Sequence, residues 1–144
     1  MKKVTTLHFY SPDTSNKPDV WLAGEGISAG FPSPAEDFKE VRISLDKAVV
    51  KNEAATFYAR VAGQSMIGAG LDDGDLLVID RSLEPEDGKI AVCFVDREFT
   101  VKRLKVAEDC VWLMPENDRY KPLQVTEESE LIIWGIVTHV LKAV

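Results

Sequence analysis

The sequence predicts a mainly β protein: a single compact, antiparallel, partly barrel-like β domain with an extended N-terminal arm and one short helix. Six short apolar runs crowd residues 56–140, turn residues separate most of them, and no regular alternation of helical and strand periods runs through the chain. At 144 residues, with 45% hydrophobic and 28% charged, the chain is long enough to bury one ordinary core without disulfide or metal staples.

Taken in order, residues 1–40 hold Pro12, Pro18, Pro32 and Pro34 together with Gly24, Gly26 and Gly30, and only the opening run from Val4 to Tyr10 has strand character. Such punctuation predicts an arm over residues 1–40 that contains no further strand, ahead of a β-rich body over residues 41–144. Val4 to Tyr10 are apolar enough to dock on that body as an added strand. Ser44, followed by Leu45, Ala48 and Val49, supplies a capping residue and helical spacing, which predicts one short helix over 44–51. Strands are expected at residues 56–61, 75–80, 89–95, 98–106, 111–114 and 131–140. Asp72-Asp73-Gly74, Pro85-Glu86-Asp87-Gly88, Asp96-Arg97 and Glu108-Asp109 are the turns between them.

A net charge of −7 argues against direct binding to DNA or RNA, because phosphate binding needs clustered Lys and Arg. A protein partner is the better expectation. Lys2 and Lys3 imitate the start of a secretory signal, but the run behind them is short and broken by Thr5, Thr6 and His8, so export is not expected. No apolar run approaches the roughly 18 residues that a membrane-spanning helix needs. Cys93 and Cys110 have neither CxxC spacing nor scaffold density, which fits a reduced cytoplasm.

The candidate chemistry rests on a serine in a tight turn, Gly63-Gln64-Ser65-Met66, and a lysine inside an apolar strand, Phe99-Thr100-Val101-Lys102-Arg103. A serine hydroxyl needs a base to take its proton. The two histidines, His8 in the arm and His139 near the end of the last strand, are poorly placed for a Ser/His/Asp triad. A lysine can serve if it is neutral, which requires a pKa depression worth roughly 4 kcal/mol, within reach of desolvation. Lys102 shares its strand face with the uncharged Thr100 and Leu104, although Arg103 and Lys105 follow closely. On residue type alone, a solvent-facing lysine and a simple turn serine remain open alternatives.

Four blocks in order carry a resemblance: Gly63-Gln64-Ser65-Met66, then Gly74-Asp75-Leu76-Leu77-Val78-Ile79-Asp80, then Glu98-Phe99-Thr100-Val101-Lys102-Arg103-Leu104, and finally Gly135 to Ala143. Together they resemble the LexA/UmuD family of self-cleaving serine peptidases, in its UmuD-like branch. The resemblance implies Ser65 as nucleophile and Lys102 as general base. It implies an oxyanion hole from the backbone N–H groups of Gln64 and Ser65, and a scissile bond between Ala29 and Gly30. The segment Ala29-Gly30-Phe31-Pro32-Ser33-Pro34 is similar to the UmuD cleavage segment, with Ala29 where the best-known UmuD has Cys. Also implied are a homodimer, a RecA–single-stranded DNA filament as activator, and a UmuC-type translesion polymerase that the trimmed form serves in the SOS response. A repressor of this family carries a helix-turn-helix domain before its cleavage site, and the 29 residues through Ala29 leave no room for one.

Two other classes compete. One is a non-catalytic β-domain that binds protein partners; the other is a signal peptidase, which the lack of a membrane anchor disfavours. No cofactor and no metal are expected. Gly24-Glu25-Gly26-Ile27-Ser28-Ala29-Gly30 misplaces the last glycine of a dinucleotide fingerprint, and Asp72, Asp73 and Asp75 lack calcium-loop spacing. Lys2, Lys3 and Lys17 balance Asp13, Asp19 and Glu25 in residues 1–29, so trimming would act through uncovered surface rather than charge.

Overall fold

The structure, a computed structural model, describes residues 6–12, 20–23, 40–63, 66–95, 97–116, 119, 121–126 and 131–144. Among the described residues the strands and one α-helix are β1 (Thr6–Tyr10), β2 (Val20–Ala23), β3 (Glu40–Ile43), α1 (Leu45–Val49), β4 (Thr56–Ala62), β5 (Leu76–Asp80), β6 (Ile90–Val95), β7 (Glu98–Val106), β8 (Val111–Met114), β9 (Leu123–Val125) and β10 (Leu131–Leu141). The chain divides into two compact units, Met1–Pro12 with Asn52–Val144, and Asp13–Lys51.

In the first unit eight strands form one antiparallel sheet in the order β1-β4-β5-β10-β6-β7-β8-β9. Strand β10 returns from the end of the chain to lie between β5 and β6, so the two halves of the sheet are joined late in the sequence. In a flat sheet the five steps from β1 to β7 would span about 24 Å. Instead the rings of Phe9 on β1 and Phe99 on β7 meet edge-on with centroids 4.7 Å apart, so the sheet curls into a half-barrel. Phe9 also meets Trp134 of β10 at 4.8 Å.

Alternation along the strands sorts side chains into two cores. Val92 and Val101 join Ala59, Val61, Met66, Leu71, Leu77 and Ile79 in one cluster, with Phe99 and Trp134 packed against it. Ala91, Cys93 and Leu104 join Leu113 and Ile136 in the other. Strand β6 is therefore covered on both faces, which is why Ile90-Ala91-Val92-Cys93-Phe94-Val95 reads as a continuous apolar run without alternation. The hairpin from β6 to β7 pairs Val95 with Glu98 and leaves two residues for the turn, where Arg97 takes φ 69°.

The second unit departs from expectation at two points. Strand β2 pairs antiparallel with β3, Val20 opposite Ile43 and Ala23 opposite Glu40, so residues 1–40 contain a strand beyond the opening run. The expected helix is present as α1, but the Ser44 hydroxyl makes no capping bond and no residue of the helix is buried. Leu45 is 51% exposed, so the helical spacing there does not mark a core-facing stripe. In the first unit, β9 is a further strand that was not expected, three residues long at the sheet edge behind Pro122. Among the described residues no helix is long and apolar enough to cross a membrane.

Candidate active site

Lys102 sits in the middle of β7, the nine-residue strand held between β6 and β8. Its backbone lies opposite Ala91, and the strand period puts its side chain on the face of Thr100 and buried Leu104. Lys102 is half-buried. Burial disfavours the ammonium and pushes its pKa below the usual 10.5, while the nearby Cys93 thiol acts more weakly in the opposite sense. Cys93 is itself pushed up to about 12, mainly by burial and against the pull of Lys102, so at neutral pH it is an uncharged thiol and no counter-ion.

The adjacent charges that cast doubt on Lys102 turn elsewhere. Arg103 faces the other side of β7, where its Nε donates to the Glu116 carboxylate and its guanidinium donates to the Gly88 carbonyl at 2.7 Å. Lys105 is exposed. Of the histidines, His8 stands exposed on β1 opposite Arg60, and His139 lies exposed on β10 with Nδ1 2.9 Å from the Thr138 hydroxyl.

Ala29, Gly30, Gln64 and Ser65 lie outside the described residues, but both flanks of the serine turn are inside them. At the entry, Gly63 has φ 123°, a region open to glycine and strained for other residues, and its N–H donates to Asp73 Oδ1 at 3.0 Å. At the exit, Met66 is 2% exposed in the main core, and its carbonyl accepts from the N–H groups of Ala69 and Leu71 at 3.1 and 3.2 Å. The Gly68 N–H donates to the Glu116 carbonyl at 2.8 Å. Glu116 thereby links the segment after the serine to Arg103, the neighbour of Lys102 on β7.

Asp73, Glu116 and Lys142 were not singled out by sequence reasoning as parts of this region. Asp72-Asp73-Gly74 reads in the sequence as a turn between strands, and Asp72 and the following Asp75 both accept from Lys142 Nζ, at 2.6 and 2.5 Å. Among the described residues no group of three His, Cys, Asp or Glu side chains is placed to hold a metal ion.

Comparison with known proteins gives a consistent set of relatives. The Peptidase S24-like family matches residues 22–138, a stretch that includes Ala29, Gly30, Ser65 and Lys102. The chain is 43% identical to Protein MucA of Salmonella typhimurium over 117 residues, covering 80% of this chain and 79% of MucA. It is 41% identical to Protein ImpA of the same organism over 120 residues, covering 83% and 81%. The LexA repressor of Oleidesulfovibrio alaskensis is 40% identical over 111 residues, which cover 77% of this chain and 53% of the repressor.

Proposed function

The chain belongs to the S24 peptidase family as a UmuD-like member of its LexA/UmuD group, and on that premise we propose that it cuts its own Ala29–Gly30 bond with a Ser65–Lys102 dyad. The observation that carries this reading is the setting of Lys102, half-buried on a central strand beside a neutral thiol, with its ammonium destabilised by burial. A lysine so placed has a larger neutral fraction than a surface lysine at the same pH, which is what a general base requires.

In the acylation step neutral Lys102 takes the Ser65 hydroxyl proton as Ser65 Oγ bonds to the Ala29 carbonyl carbon. The backbone N–H groups of Gln64 and Ser65 would receive the developing oxyanion. The Ala29–Gly30 bond then breaks, and the proton on Lys102 passes to the departing Gly30 nitrogen. Lys102 then takes a proton from water as the water oxygen bonds to the Ala29 carbonyl carbon. The bond from that carbon to Ser65 Oγ breaks, Lys102 passes the proton to Ser65 Oγ, and the Ala29 carboxylic acid gives its remaining proton to solvent. The remaining steps of the reading are a homodimer in the cytoplasm, a RecA–single-stranded DNA filament as activator of cutting during the SOS response, and a UmuC-type translesion polymerase as partner of the trimmed form.

Intact mass of the purified chain over time at pH 7 and pH 10, beside Ser65→Ala and Lys102→Ala, tests the chemistry. Fragments ending at Ala29 and starting at Gly30 are expected, faster at pH 10 and absent from both variants. Cutting that persists in either variant removes the dyad. The same assay with a RecA–single-stranded DNA filament added tests the activator.

A further inference from the structure

The turn between Leu71 and Leu76 makes more bonds than a solvated connection needs. The Gly74 N–H donates to the Val61 carbonyl at 2.7 Å, the Val61 N–H donates to the Asp75 carbonyl at 2.8 Å, and Arg60 donates to the Gly74 carbonyl at 2.8 Å. Asp75 is buried, and its Oδ2 accepts from the Asp72 N–H at 2.8 Å and from Lys142 Nζ at 2.5 Å. Lys142 also reaches Asp72 Oδ2 at 2.6 Å. A buried carboxylate needs such partners, because leaving it unpaired would leave its desolvation uncompensated. Lys142, just beyond β10, therefore fixes a loop 67–70 residues earlier in the chain.

The same loop also bonds to both flanks of the serine segment. Asp73 is exposed, yet its Oδ1 accepts the Gly63 N–H at the entry to the serine turn, while Leu71 at the start of the same loop donates to Met66 at the exit. One loop thus grips both ends of the segment that carries Ser65. We propose that Asp73 and Lys142 are positioning residues for the Ser65 nucleophile, Asp73 holding Gly63 and Lys142 holding the loop that carries Asp73. The inference rests on the reading of Ser65 given above. Neither residue donates or accepts a proton in the reaction; each acts on where the hydroxyl stands relative to the base.

The test uses the full chain and compares Asp73→Ala with Asp73→Asn, which keeps the Oδ1 acceptor. Self-cleavage is expected to slow about tenfold in Asp73→Ala and to return to within about threefold of wild type in Asp73→Asn. Lys142→Met is expected to slow cutting by a similar factor, and the double variant Asp73→Ala/Lys142→Met to be faster than the product of the single effects predicts, since both act through one loop. The midpoint of the rate against pH should stay where it is in wild type; a moved midpoint would place the effect on Lys102 and overturn the assignment. Amide hydrogen exchange at Gly63, measured in a Ser65→Ala background, reads the grip without any cutting. It should quicken in Asp73→Ala and stay slow in Asp73→Asn. Unchanged exchange in Asp73→Ala overturns the grip itself, and quickened exchange with an unchanged rate overturns its role in the reaction. Cutting that survives Ser65→Ala strikes instead at the dyad, and the catalytic part of the proposal falls with it.

Discussion

Two lysines in this protein have pKa values displaced in opposite directions, and the signs give opposite dependences of stability on pH. Lys102 is lowered by burial, so between its folded midpoint and the usual 10.5 the unfolded chain binds more protons than the folded one. Stability from this group therefore rises with pH across that window. Lys142 is raised by its bonds to Asp72 and Asp75, so its contribution is fully present below 10.5 and is lost as pH climbs through its higher folded midpoint. Melting temperature measured from pH 7 to pH 10 should show the first effect as a gain in wild type relative to Lys102→Met, which replaces the ammonium with an apolar chain of similar length. A difference between the two that stays constant with pH would mean that Lys102 is not destabilised as a cation. Under the proposed dyad the self-cleavage rate should follow the same titration, rising with pH with its midpoint below 10.5, because a lysine general base must be neutral.

Among the elements, β10 has the tightest requirement. It lies between β5 and β6 and shifts register on both sides, between Ile133 and Gly135 against β6 and between Val137 and His139 against β5. A Cβ on Gly135 would stand 2.6 Å from Ile79 Cγ2, inside a fully buried part of the core. Gly135→Ala is expected to destabilise the fold by about 1–3 kcal/mol, read as a lowered urea midpoint with the slope unchanged. An unchanged midpoint would show that Ile79 can move aside at no cost. The glycine could be seen in the sequence, but the neighbour that excludes a methyl could not. The same division holds elsewhere. Residues 98–106 and 111–114 were legible as strands because their apolar runs are bounded by turn residues, and they are observed with those limits. Strands β2 and β9 lie behind Pro18 and Pro122, and β3 holds Glu40 and Arg42; those loop and charge signals hid them, since β8 is as short as β2 and β3. In the candidate site, the low polarity around Lys102 was legible from Thr100 and Leu104 on its own strand. The grip of Asp73 on Gly63 spans 10 residues and that of Lys142 on Asp72 spans 70, and no local pattern announces either.

At the scale of the molecule, β1 is the part of the sheet that comes from residues 1–29. Its five residues pair with β4 from Thr6 opposite Ala62 to Tyr10 opposite Tyr58. Leu7 and Phe9 turn inward against the main core, while His8 and Tyr10 face out. Phe9 covers the rings of Phe99 and Trp134; full burial of such a side chain stabilises by about 1.5–3 kcal/mol, and half-buried Phe9 gains part of that. Leu7 and Phe9, with the backbone bonds to β4, are what this sheet would lose in a chain beginning at residue 30; β2 would go as well, leaving β3 without its partner. Charge would barely enter, since the side chains of residues 1–29 sum to zero and the rest carry the whole −7. The loss is structural: the outer edge of β4 becomes an open row of N–H and C=O groups, and Phe99 and Trp134 meet solvent. A chain of residues 30–144 should therefore bind more of an apolar dye than the full chain and show red-shifted tryptophan emission once the contribution of Trp21 is removed by comparison with full-length Trp21→Phe. Adding a peptide of residues 1–12 should reverse both changes, and the same peptide with Phe9→Ala should not. Dye binding equal to that of the full chain would mean that the sheet closes over the vacated edge, and trimming would then have to act through something other than uncovered surface.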